Sequence, residues 1–236
     1  MIKLINNEFI KTRRIKIIFS EIIILISIFI MNKYSDKFLL DLIFNLIPFI
    51  GIIVSILFSG SICSEIENGT LRYYLTKPYK RWKVYLSKFI CIYLYITITI
   101  IIIIFASFII TNFFDLKILS KYFVYSIPVY FIGSYVLYLS TKFKSQSLCV
   151  GICIFLLSFS LIISQLLFGY NFNIIEYTFL PYLDYSIFND KISLIEMNNA
   201  LNTNLSLNKG IIMDILFIIL FYIFGNYKFN KKDIKN

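Results

Sequence analysis

The sequence predicts an all-α integral membrane protein with six transmembrane helices, an N-terminal interfacial elbow helix and both termini cytoplasmic. Composition, run length and charge placement lead to that class. Of the 236 residues 59% are hydrophobic and 15% charged, and the mean hydropathy is +0.81. A water-soluble globule of this make-up would expose large apolar patches, whereas a bilayer accepts them. Crossing a hydrocarbon core about 30 Å thick takes roughly 20 mostly apolar residues, and runs of that kind recur six times.

The chain reads as a single transmembrane domain, 1–236. Residues 1–16 set Ile2, Leu4, Ile5, Phe9 and Ile10 among basic residues. That is the make-up of a short amphipathic helix in the membrane interface. No small-residue cleavage site follows the first apolar run, so a signal peptide is not expected. Segment 17–63 holds helices 1 and 2, roughly Ile17–Met31 and Leu42–Cys63; 64–88 is a cytoplasmic loop. Segment 89–168 holds helices 3 to 5, roughly Phe89–Thr111, Tyr122–Ser140 and Leu148–Phe168. An extracellular loop, 169–209, precedes helix 6 at 210–225 and a cytoplasmic tail at 226–236. The first and last runs are short, so flanking residues or a thinned bilayer complete them. Pro128 and Gly133 predict a kink in the fourth, which a membrane helix tolerates when neighbours satisfy the freed carbonyls.

Charge sets the orientation. Segments 1–16, 64–88, 141–147 and 226–236 hold 17 of the 23 Lys and Arg, and the opposite segments hold seven of the 13 acidic residues. An excess of Lys and Arg marks the cytoplasmic side. The net charge of +10 is thus a topology signal. A nucleic-acid partner would need a soluble basic face, and none is expected. Richness in Ile, Lys, Asn, Phe and Tyr with only two Ala suggests an A/T-rich coding sequence, hence a multi-pass protein of a bacterial plasma membrane.

What the chain lacks narrows its chemistry. It has no His, which removes imidazole acid–base catalysis, Ser-His-Asp triads and HExxH zinc sites. It has no GxxxxGK[ST] loop, so any ATP is bound by another chain. No catalytic, cofactor or metal residues are expected. Cys63, Cys91, Cys149 and Cys153 fall in or beside predicted helices. Cys149 and Cys153 share a face at i, i+4, but without a His or a further ligand they read as packing residues. Glu21 and Asp214 lie about one turn inside predicted helices. An intramembrane acid is a functional candidate by default, yet both are shallow enough to snorkel or pair at the interface, and the structural reading is preferred.

The loop Ser64–Lys88 is the most specific stretch. Asn68, Gly69 and Thr70 form a turn, with Thr70 able to cap a following helix. Leu71, Tyr74 and Leu75 then make an apolar stripe on a helix too short to cross anything, and Pro78 ends it. Such an element either lies on the lipid surface or docks a soluble partner.

Glu67, Gly69, Thr70, Leu71, Leu75, Pro78, Arg81, Val84 and Lys88 together resemble the signature between the second and third crossings of ABC transporter permeases of the type-2 export class. Glu8, Lys11 and Arg14 resemble that family's elbow helix. Phe229, Lys232, Asp233 and Ile234 resemble its closing tail, and Phe179-Leu180-Pro181-Tyr182 lies in the corresponding long outer segment. Lys80 departs from the pattern, where a small hydroxyl residue is common.

The resemblance implies a permease subunit paired with a second permease, as homo- or heterodimer, and driven by a separate ATP-binding-cassette ATPase subunit. Glu67, Gly69, Thr70, Leu71, Tyr74, Leu75, Pro78 and Arg81 would couple it to that ATPase, with Leu71, Tyr74 and Leu75 buried in the partner's groove. Helices rich in Phe, Tyr and Ile suggest an apolar or amphipathic cargo, and similar small permeases serve in bacitracin, lantibiotic or antibiotic immunity. An ATP-independent channel or structural membrane subunit is the alternative left open, and a membrane-embedded enzyme is disfavoured by the missing His.

Overall fold

The computed structural model describes residues 2–11, 14–34, 38–70, 80–111, 116–169, 176–183, 185–188, 194–195, 198–199 and 203–231. Among them every regular element is helical: α1 (Ile2–Lys11), α2 (Arg14–Tyr34), α3 (Phe38–Phe58), α4 (Gly60–Glu67), α5 (Arg81–Thr111), α6 (Leu116–Tyr125), α7 (Ile127–Lys142), α8 (Gln146–Gly169) and α9 (Leu207–Lys231), with short 3₁₀ turns at Leu180–Tyr182 and Tyr185–Phe188. Four stretches are long and apolar enough to cross a membrane: Pro48–Glu67, Arg81–Ile109, Leu119–Lys142 and Leu207–Lys231. A fifth results if the two parts of α8, Gln146–Ser160 and Ile162–Phe168, bent by 57°, form one span. Among the described residues four or five such spans therefore stand against the expected six. The 21-residue α2 is about 31 Å long at 1.5 Å per residue.

Helix ends run past the apolar runs. α5 begins at Arg81 rather than Phe89, and α9 spans Leu207–Lys231 rather than 210–225. Backbone hydrogen bonding does not require an apolar side chain, so polar residues continue a helix that hydropathy alone would cut short. The second predicted run is divided at Ser59 without losing its axis, since the Ser59 N–H still donates to the Ser55 carbonyl at 3.1 Å. The fourth is divided at Ser126 into α6 and α7, two residues before Pro128, which has no N–H to offer the preceding turn.

α7 is the centre of the bundle, packed against α3, α4, α5, α8 and α9. Between membrane helices the lipid is as apolar as the side chains, so association depends on close packing more than on the hydrophobic effect. Gly133 provides it: a Cβ there would lie 2.9 Å from Ile92 and 3.0 Å from Ile96 of α5. Toward α9, Tyr135 meets Phe221 at 5.0 Å and Phe131 meets Phe221 at 5.7 Å, ring pairs worth about 0.5–1.5 kcal/mol each beyond their buried area. Serines inside these helices satisfy themselves. Ser55, Ser87, Ser107, Ser134 and Ser140 each donate to the carbonyl three residues earlier at 2.7–2.8 Å.

Replacing Gly133 by Val should force α5 and α7 apart and lower stability by about 1–3 kcal/mol, measured by unfolding in detergent. A Cβ added at Gly151 of α8 would meet nothing within 4 Å, and Gly151→Ala should leave stability unchanged or slightly raised.

Candidate functional site

At one end of the bundle three helices bring charged side chains together where little water reaches. On α1, Leu4, Glu8 and Lys11 share a face at i, i+4 and i+7; Leu4 and Glu8 are buried against the bundle. On α4, Ile62 and Glu65 are buried at i, i+3. On α5, Val84, Tyr85 and Lys88 are buried one turn apart, and the Lys88 side chain is only 1% exposed.

The Lys88 ammonium has three N–H donors and meets three acceptors, each at 2.8 Å: Glu8 Oε2, Glu65 Oε1 and the Ser61 carbonyl. Lys11 closes the arrangement from the rim, donating to Glu8 Oε1 at 3.3 Å and to Glu65 Oε1. Two carboxylates and two ammonium groups thus alternate, and they tie α1 to the end of α4 and the start of α5. Burial alone would favour the neutral acid at Glu8, but Lys88 and then Lys11 outweigh it, holding the carboxyl below its ordinary value of 4.5. A cavity of about 390 Å³ opens beside the clamp, lined among others by Lys16, Ser64, Asn68 and Gln146. This is a holding device: its ions are paired with one another, and of their atoms only Glu65 Oε2 is buried without a hydrogen-bond partner among the described residues. Among the described residues no group of His, Cys, Asp and Glu could hold a metal.

The clamp stands at the base of the segment singled out by sequence. Glu67 ends α4 and is exposed, so it stays outside the ion-pair network. The Asn68 N–H donates to the Ser64 carbonyl at 3.0 Å, and Gly69 follows at φ +66°, a left-handed helix-ending conformation that favours glycine. The Thr70 hydroxyl turns back to the Glu65 carbonyl at 3.4 Å. It therefore closes the helix behind it, while the residues it is expected to cap ahead lie outside the described residues. Leu71, Tyr74, Leu75 and Pro78 lie outside the described residues. The chain resumes at Lys80, whose carbonyl accepts from the Lys83 N–H at 2.9 Å. Arg81 Nη1 donates to the Asn230 carbonyl near the end of α9 at 2.9 Å. One residue earlier, Phe229 is buried with its ring 5.8 Å from that of Tyr85. Lys232, Asp233 and Ile234, with the side chain of Arg14, lie outside the described residues.

Sequence reasoning placed Glu8, Lys11 and Lys88 in motifs but missed their partner, Glu65. The signal was present: a lysine on the buried face of an apolar helix requires a carboxylate, and Glu65 shares a face with Ile62. The acids inside the predicted spans are met differently. Asp214 does not snorkel; it is fully buried and accepts a hydrogen bond from the Tyr185 hydroxyl at 2.7 Å. Glu21 accepts one from Thr99 at 2.8 Å. Cys149 faces Cys63 of α4, with sulfurs 3.4 Å apart, and all four cysteines are buried.

Two outcomes test the clamp. Lys88→Met leaves Glu8 and Glu65 buried with only Lys11, and should cost about 3–5 kcal/mol in detergent unfolding; adding Glu8→Gln and Glu65→Gln should recover part of it. Because the Glu8 carboxyl is lowered in the folded state, its contribution is present above pH 4.5 and lost as pH falls through the lowered value. An acid titration of unfolding midpoints should show that loss in the wild type and a weaker one in Glu8→Gln.

No curated protein matches the sequence. A family model described as "Protein of unknown function (DUF2705)" matches residues 9–235, nearly the whole chain, which therefore belongs to the DUF2705 family.

Proposed function

We propose that this protein is the membrane-spanning permease subunit of an ATP-binding-cassette exporter, with six crossings, both termini cytoplasmic and a location in a bacterial plasma membrane. It works with a second permease and is driven by a separate ATPase. One observation carries the reading. The three stretches that resemble the type-2 export class, far apart in sequence, meet at one end of the bundle: Glu8 and Lys11 from the elbow, Arg81 and Lys88 from the loop, and Phe229 from the tail, which packs on Tyr85.

Their arrangement suits a mechanical joint. Segment 68–80 leaves from α4, whose last turns are held by Lys88 and Lys11, and returns to α5, whose first residue is held by the carbonyl of Asn230. A push on that segment from a soluble partner reaches three helices at once. Leu71, Tyr74 and Leu75 are the apolar contacts in this reading, and Arg72 and Lys77 supply rim charge that adds little affinity. Charge placement supports the orientation, with 17 of 23 Lys and Arg in the segments assigned inside. The apolar, aromatic character of the helices suits an apolar or amphipathic cargo such as an antimicrobial peptide or drug.

The test pairs the full chain with the product of an adjacent reading frame that carries a Walker A motif and no membrane spans. Leu71→Asp with Leu75→Asp should abolish co-purification and ATP-driven export while leaving the unfolding midpoint within about 0.5 kcal/mol of wild type, as for surface positions. Undiminished association and export would overturn the coupling role, and conductance that persists without ATP would favour the channel.

A further inference from the structure

A second cavity, about 360 Å³, lies along the outward side of α8, walled by Tyr135 of α7 and by Ser147, Leu148, Ile152 and Phe155 of α8. Its floor is Gly151, where a side chain would meet nothing within 4 Å. Leu148 and Phe155 are more than half exposed along it, so it opens to the surroundings rather than into the protein. On α7 the face continues from Tyr135 through Tyr138 to Lys142, at i, i+3 and i+7. Lys228 of α9 joins that face, its ammonium 5.2 Å from the Tyr138 ring centroid. Lys144 lies three residues before Ser147, and the segment 141–147 contains no acid. Among the described residues neither Lys142 nor Lys144 makes an ion pair, and both are exposed. The groove is thus mostly apolar, and its Ser147 end adjoins the turn that carries Lys142 and Lys144.

We infer that this groove is a binding site for one anionic phospholipid, its acyl chain over Gly151 and its phosphate on Lys142, Lys144 and Lys228. The shape calls for a slender chain, since the floor is set by a residue without a side chain. The head must be anionic because the turn between α7 and α8, which leads into Ser147 at one end of the groove, carries Lys142 and Lys144 and no carboxylate, and Lys228 lies against Tyr138 one turn before Lys142. Basic pockets between membrane helices on the cytoplasmic side have this selectivity, and each lysine near such a head favours it by about fivefold. The assignment rests on the chain spanning a membrane, but not on its being an exporter.

Native mass spectrometry of the full chain in detergent, with phosphatidylglycerol or phosphatidylcholine of identical chains added, tests it. Phosphatidylglycerol should be retained preferentially, by about fivefold or more. Gly151→Phe, which fills the groove without touching a neighbour at its Cβ, should bring retention down to the phosphatidylcholine level with the unfolding midpoint unchanged. Lys142→Gln with Lys144→Gln should do the same to the preference alone. Equal retention of the two lipids would overturn the site, as would full retention by Gly151→Phe. So would loss of a dimer rather than of lipid in that variant, which would make the groove a contact between copies. Recovery of the protein from the membrane fraction in each case separates failure of the site from failure of the membrane reading.

Discussion

The ammonium of Lys88 is the constraint on which the rest depends. A charge whose side chain is 1% exposed is tolerated only when every donor is satisfied and opposite charge stands beside it. Here the three acceptors come from α1, from the last turn of α4 and, through the Ser61 carbonyl, from its first turn. Lys88 therefore determines where α1 docks, how α4 is rotated and where α5 starts. α1 would otherwise have only ten residues, too few to be a stable helix alone. Its order is borrowed from a salt bridge whose other members lie more than 50 residues away.

The opposite end of the bundle is held by different chemistry. Asp214 finds a tyrosine hydroxyl, not a cation, and the turns at Leu180–Tyr182 and Tyr185–Phe188 cover it. Nearby, Glu176 accepts the Asn204 N–H at 2.8 Å and lies 3.6 Å from Lys209, while Asn198 bonds the backbone around Leu205. Gly210 lets α9 lie against the ring of Tyr182. Between the ends most serines bond within their own helices and apolar contacts predominate, with a few polar ties such as Thr99 to Glu21 and Tyr93 to the Tyr130 carbonyl. Polar groups give the ends their register, and dispersion fills the space between them.

Much of this was legible in the residues, for reasons that differ by level. The helices follow from run length, because every backbone polar group in an apolar run must be satisfied internally. Their ends did not follow, since the eight residues from Arg81 to Lys88 are helical without being apolar. Rotational register was half legible. Val84, Tyr85, Lys88, Cys91 and Ile92 repeat at helical spacing and are buried together, so Lys88 could have been placed inward from its neighbours. Choosing between Glu65 and Glu67 as its partner needed the same step on α4: Glu65 follows Ile62 by three, whereas Glu67 falls on the exposed side. Motif matching favoured Glu67 because motifs record identity and spacing, and pairing depends on which way a helix is turned. The Asp214 contact could not be anticipated, since its partner lies in a short 3₁₀ turn 29 residues away.

The clamp also limits how this end of the protein can move. Sliding α4 past α5 would break the bonds of Lys88 one at a time, and each intermediate would leave a carboxylate buried and short of a partner, at a cost of several kcal/mol. Displacing α1 alone would strand Glu8 in the same way. The path of lowest cost keeps all four charges together, so α1, the end of α4 and the start of α5 move as one body. Arg81 and Phe229 extend that body to the end of α9. A force applied at segment 68–80 would then reappear at the far ends of α5 and α9 as rotation about contacts such as Gly133, where α5 and α7 pass closely on apolar side chains with one hydroxyl tie, Tyr93 to the Tyr130 carbonyl. In the exporter reading that rotation is the useful motion, and the buried ion pairs matter because they cannot yield in part.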